Sequence, residues 1–249
     1  MADSDGRSSC GTIHMSLQGK GGVGKSLAAS VLAQYLIARG NPVRCIDADP
    51  VNKTLYQYKA LGAMPLQLLR DGVIDQRVFD GLIEQLLTGD GPFVVDNGAS
   101  TFVPLWHYML ESDIPGLLRS AGRKLYLHVV ITGGQALSDT VNGFAEVAAT
   151  AAPRSVIVWV NEFFGRVEYQ GKQFADMKAY KDHQDRVCGS VAIPRRNYDT
   201  FGRDVEEVIA QKLTFEEAIR DGSFSVVTKQ RLKMVERELF EQLDLLDLE

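Results

Sequence analysis

Cysteine is scarce in this chain: there are three, Cys10, Cys45 and Cys188, with no C-x-x-C pair and no metal-ligand spacing. That sets aside a disulfide framework and a cysteine-built metal site, and it points to a reducing, cytoplasmic setting with ordinary thiols. Basic charge is also in deficit, 27 Lys and Arg against 32 Asp and Glu, for a net charge of -5. No global positive field draws in nucleic acid, so DNA is a possible ligand only through a local patch. Long apolar runs are missing too, none approaching the roughly 20 residues of a membrane span. The first eleven residues are polar and lack an apolar h-region. A flexible tail over residues 1–11, no export signal and no membrane partner are expected.

What is present suits a globular protein. At 249 residues, 45% hydrophobic and 24% charged, the chain has the size and composition of one α/β domain spanning residues 12–249. Its organising stretch is Gly19-Lys20-Gly21-Gly22-Val23-Gly24-Lys25-Ser26, a full match to G-x-x-x-x-G-K-[ST]. Ahead of it, Thr12 to Leu17 alternates as a short strand does, with Ile13, Met15 and Leu17 on one face. Behind it, Leu27, Val31, Leu32 and Tyr35 recur at helical spacing until Gly40.

Strand, glycine turn and helix are the context that this motif needs. Glycines without a Cβ let successive N–H groups converge on an anion, and the positive end of the helix adds to the attraction. The expected phosphate cradle is Gly21, Gly22, Val23, Gly24, Lys25, Ser26 and Leu27. Lys25 is placed to reach the β and γ phosphates, and the Ser26 hydroxyl is a hard oxygen ligand suited to Mg2+.

Further strands end in carboxylates. Pro42 to Asp47 leads into Asp47-Ala48-Asp49-Pro50, and Pro92-Phe93-Val94-Val95-Asp96 has the form of a Walker B strand whose aspartate binds magnesium through water. Asn97 to Ser100 would follow as a switch-like loop. Residues 53–61 and 76–87 are compatible with short helices, residues 104–119 mix helix and turn signals, and Leu125 to Thr132 and Arg154 to Asn161 are near-continuous apolar strands. A helix is expected from Ala136 to about Ala151, a strand over Val187 to Ile193, helices at 206–213 and 215–219, and an amphipathic helix from Val226 onward. The pattern is an α/β fold with a doubly wound, mainly parallel sheet and helices on both faces.

With Lys20, the core Lys-Gly-Gly-Val-Gly-Lys-Ser resembles the deviant Walker A motif of the ParA and MinD family of P-loop ATPases. Asp-x-Asp-Pro at 47–50, Phe-Val-Val-Asp at 93–96 and Ile-Pro-Arg at 193–195 extend the likeness. Leu17 to Ser26, Ile46 to Asn52, Asp96 to Ser100 and Thr132 to Leu137 are similar to the TraL branch, ATPases of plasmid conjugative transfer.

The resemblance implies a bacterial ATPase that forms a homodimer in the ATP state. Lys20 would reach the partner's nucleotide, Asp49 would orient the attacking water, and Asp47 would lie near the metal. Asn161 and the backbone of Pro194 would contact the base. Guanine specificity generally adds a carboxylate three residues after that Asn, a place held here by Phe164, so adenine is favoured. Val51 stands where the family usually has Gln.

The implied partner is a conjugation or partition protein. MinD ends in a membrane-binding helix, but here Glu241, Asp244, Asp247 and Glu249 would repel anionic lipid, so packing or protein contact is expected of this one. A non-hydrolysing nucleotide switch and a ParA-like partition ATPase are the alternatives. A cluster-bridging reductase of the nitrogenase iron protein type is disfavoured, because Cys45 and Cys188 form no pair facing a dimer axis.

Overall fold

The computed structural model describes residues 11–70, 73–75, 77–246 and 248. The expected tail therefore lies, apart from Gly11, outside the described residues. Seven strands make one parallel sheet: β1 (Thr12–Ser16), β2 (Arg44–Ala48), β3 (Met64–Pro65), β4 (Phe93–Asn97), β5 (Lys124–Thr132), β6 (Val156–Asn161) and β7 (Val187–Ile193). Their spatial order is β7-β6-β5-β1-β4-β2-β3.

Helices cover both faces, which is why most strand residues are buried whichever way they point. Ile13, Met15, Val95, Leu127, Val129 and Val158 pack beneath α2 (Arg77–Thr88), α3 (Ala99–Glu111), α4 (Ile114–Ser120) and α5 (Leu137–Thr150). Val94, Val130, Ile157 and Trp159 share the other face with α1 (Lys25–Ala38), α7 (Arg203–Gln211), α8 (Phe215–Arg220) and α9 (Val226–Asp244). A short α6 (Lys178–Asp182) lies over the first face, where Ala179 and Tyr180 join its core.

The register aligns the strand ends that matter. Ser16 pairs across from Asp96, and Asp96 from Asp47, while Asn161 is flanked by Thr132 and Ile193.

The last helix is tied down by its sequence. The Ser225 hydroxyl accepts from the Thr228 N–H at its start, Leu232, Leu239, Phe240 and Leu243 are buried, and Asp244 closes on Arg39 and the Tyr35 hydroxyl at its end. Among the described residues, no helix is long and apolar enough to cross a membrane.

Three local expectations are revised. Residues 53–61 form two 3₁₀ turns, Leu55–Gln57 and Lys59–Leu61, because the Asp47 carboxylate takes the Tyr56 N–H at 2.8 Å and folds the chain back toward β3. Residues 104–119 are helical on both sides of Asp113, whose φ of 46° breaks the run into α3 and α4. The expected switch loop is short: Gly98 alone separates β4 from α3, and Thr101 Oγ1 donates to both Gly98 O and Ala48 O.

A polar chain crosses the α1 side of the sheet. The Trp159 indole donates to His128 Nδ1 at 2.9 Å, His128 Nε2 meets His14 Nδ1 at 3.0 Å, and His14 Nε2 meets Thr12 Oγ1 at 3.0 Å. An indole can only donate, so the neutral tautomers are set in sequence: each ring accepts at Nδ1 and donates at Nε2. Burial holds His14 down to about 3 and His128 well below the usual histidine range, so both rings are neutral.

Candidate functional site

The site is built where β1 runs into α1. The buried Gln18 amide donates to Val130 O and Thr140 O, both at 3.2 Å, which fixes the chain as it leaves the strand. The turn then needs glycine at two places: Gly22 has φ 74° and Gly24 has φ 102°. A Cβ on Gly24 would also stand 2.7 Å from Asn161 Nδ2, which donates to Val23 O at 2.9 Å. The loop is thus clamped from the end of β6.

Lys25 is buried and donates from Nζ to Lys20 O at 2.8 Å. Burial pulls its pKa down, and the carboxylates of Asp96 and Asp49 pull it back up. Asp96 is 1% exposed. Burial raises its carboxyl to about 6, while the nearby hydroxyls of Ser26 and Ser16 work against that rise. One oxygen accepts from Ser16 Oγ at 2.8 Å; the other, Oδ2, is buried with no hydrogen-bond partner.

Asp47 is buried and accepts from the N–H groups of Asp49 (3.0 Å) and Tyr56 (2.8 Å), so both its oxygens hold the following loop. Asp49 accepts from Val51 N, Asn52 N and Asn52 Nδ2 within its own turn.

Gly21, Gly22, Gly24, Lys25, Ser26, Leu27, Asp49 and Asn161 line one cleft of about 520 Å³. Val23, Asp47 and Asp96 lie buried at its edge or beneath it. Pro194 lines a neighbouring cavity of about 220 Å³, which shares Leu27 and Phe163 with the cleft. Lys20 is turned away, paired with Asp139 of α5 at 2.8 Å. The amide of Asn161 is occupied by Val23 O and, through Oδ1, by Phe163 N.

Residues 15–201 match the CobQ/CobB/MinD/ParA nucleotide binding domain. The chain belongs to that family. Two Escherichia coli relatives, each named Protein TraL, are 46% and 45% identical over 233 residues, covering 93% of this chain and 97% of the relative. The MinC:MinD cell division protein complex of Aquifex aeolicus shares the fold with a TM-score of 0.52 at 14% identity, over 92% of this chain and 96% of that one. A Borrelia burgdorferi structure, described as a plasmid partition protein bound to AMPPNP, aligns with a TM-score of 0.50 at 16% identity, over 94% and 99%.

In this MinD/ParA-family chain, sequence reasoning missed the wall opposite the glycine loop: Phe163, Glu206, Ile209 and Ala210. Phe163 follows the apolar run of β6, where open α/β sheets place ligand contacts, so that rule was the available signal. The α7 residues join through packing and carry no local signature.

Proposed function

We propose that this chain binds ATP with magnesium, hydrolyses it slowly, and acts as a nucleotide-switched dimer in plasmid conjugative DNA transfer in the bacterial cytoplasm. The observation that carries the reading is the convergence of Lys25, Ser26 and a buried Asp96 beneath a glycine loop with free amide positions. The unpartnered Asp96 oxygen fits a metal site, because a carboxylate held ionised in the interior needs a cation or a donor. Ser26 and Asp96, with Asp47 nearby, would hold Mg2+, which supplies charge neutralisation for the phosphates when bound. Among the described residues no cluster of three His, Cys, Asp or Glu is placed to hold a cation.

The protein's own residues do the rest. Amides of Gly21 to Leu27 cradle the phosphates, and Lys25 leaves Lys20 O to meet them. The base lies toward Phe163, Asn161 and the Pro194 backbone, and adenine fits because Phe164 offers no carboxylate to a guanine edge. Lys20 exchanges Asp139 for the partner protomer's nucleotide. Asp49 releases its turn donors to hold the attacking water in line. Similarity to the two TraL proteins supports a role in conjugation, and the stimulating partner in this reading is an unidentified transfer or partition protein.

A specific observation favours a second reading, a switch that binds ATP without hydrolysing it: among the described residues, the donors to the Asp49 carboxylate are Val51 N, Asn52 N and Asn52 Nδ2, all within its own turn. Magnesium-dependent phosphate release decides between them. Multiple turnovers in wild type, lost by about 10²-fold or more in Asp49→Ala, are expected for the ATPase. Equal release by both proteins removes Asp49 from the mechanism, and no release with any partner leaves the switch. ATP-dependent dimerisation that survives Lys20→Ala would remove the cross-protomer lysine.

A further inference from the structure

A second concavity lies at the opposite end of the sheet from the glycine loop, where the loops entering β5 and β6 meet the chain after α9. Its volume is about 400 Å³. Four cationic residues line it, Arg119, Arg123, Lys124 and Arg154, and no described Asp or Glu does. Such a grouping runs against the net charge of -5 of the whole chain.

The strongest single feature is Arg123, which is 8% exposed. Its Nη2 donates to Leu87 O and Gly89 O, but Nη1 is buried with no hydrogen-bond partner. A buried guanidinium nitrogen without an acceptor is costly, and the neighbouring cavity is where an acceptor has room to enter. Arg119 and Arg154 are exposed and pair with no described carboxylate. Arg154 is carried at a φ of 53° by a backbone N–H bond to Asp185 O, and the Asp185 carboxylate is itself engaged by Arg186 at 3.1 Å. The rest of the lining is mixed: Trp106, Pro115, Leu125 and Pro153 give it an apolar wall, and Thr150 and Ser155 add hydroxyl groups.

We infer that this cavity is a binding site for a small phosphate monoester, its phosphate held by Arg119, Arg123 and Arg154 and its organic body set against Trp106 and Pro115. Guanidinium groups are suited to this task because their paired N–H donors match phosphate oxygens. The volume falls in the range of small-molecule sites, and the combination of apolar lining with few convergent charges is typical of them. The site is separate from the proposed ATP cleft, with which it shares no lining residue.

The test uses the full chain carrying Lys25→Ala, which removes the phosphate-binding lysine of the other site, alongside wild type. Inorganic phosphate and phenyl phosphate are titrated by calorimetry at low and moderate salt. Saturable binding is expected in both proteins, tighter for phenyl phosphate and weakened by salt. Adding Arg119→Ala or Arg154→Ala weakens it about tenfold each, and Arg119→Lys weakens it less. These exposed positions leave the fold intact, whereas Arg123→Ala would strip donors from Leu87 O and Gly89 O. Binding that vanishes with Lys25→Ala alone, affinities indifferent to both arginine substitutions, or no saturable heat at millimolar probe would each overturn the assignment.

Discussion

Replacing Asp96 by Asn gives a pH-dependent signature. A carboxyl whose pKa rises from 3.8 to about 6 on folding holds its proton more tightly in the native state. Its ionisation therefore costs nothing below the unfolded value, and the cost grows as pH rises, reaching its full amount above the folded value. Two units correspond to about 3 kcal/mol at neutral pH. Asn keeps an acceptor for Ser16 Oγ and removes the charge, but it leaves an amide nitrogen where Oδ2 has no partner and takes a neighbouring charge from Lys25.

The absolute change is thus smaller than 3 kcal/mol, while its dependence on pH is retained. His14, His128 and Asp47 titrate in both proteins and largely cancel in the difference. Urea melts of nucleotide-free protein from pH 4 to pH 8 are the assay. The stability of Asp96→Asn relative to wild type rises by up to about 3 kcal/mol across that span, roughly 5–10 °C in Tm for a chain of this size. With ATP and magnesium the order reverses, because only wild type gains ligand stabilisation. A difference that stays flat with pH, or shrinks toward alkaline conditions, would refute the argument.

Gly24→Ala should destabilise the chain by about 1–3 kcal/mol in denaturant melts and cost at least about tenfold in nucleotide affinity, since φ 102° and the Asn161 amide at 2.7 Å both oppose a methyl group. Asp139→Ala breaks an exposed ion pair worth under about 1 kcal/mol, so melting is nearly unchanged; because both protomers of the dimer would otherwise break it, dimerisation with ATP, followed by light scattering, should occur at up to about 30-fold lower protein concentration. Trp159→Phe leaves His128 Nδ1 without its donor in the interior and should cost about 1–3 kcal/mol in urea, with nucleotide affinity retained in a fluorescent-analogue titration.

What could be read from the chain alone was local. The glycine loop lies within eight consecutive residues, and Asp96 sits at the end of an apolar strand, so neither required knowledge of distant neighbours. The parallel sheet followed from strands apolar on both faces. Other features depended on packing between remote segments. His14 reads as the polar face of β1, yet its partner His128 is 114 positions away. Phe163 and Glu206 line one cleft although they come from the end of β6 and from α7, elements distant in the sequence. The run after Asp49 shows helical residues, but the buried Asp47 carboxylate overrode that propensity by capturing the Tyr56 N–H. Likewise, residues 104–119 read as a mixture of helix and turn signals, while the chain carries Pro104 inside α3 and breaks at Asp113.

The line from Trp159 through both imidazoles to Thr12 joins three neighbouring strands by side chains as well as by their peptide ladders. Its hydrogens all point one way, so no single link can reverse without placing a charge in the interior. β1, β5 and β6 are consequently welded into a plate that resists shear, and the glycine loop and the Asn161 clamp are both rooted in it. In the proposed switch, the loops after β2 and β4 and the outer helices are the expected moving parts, with the plate as the stator against which they turn.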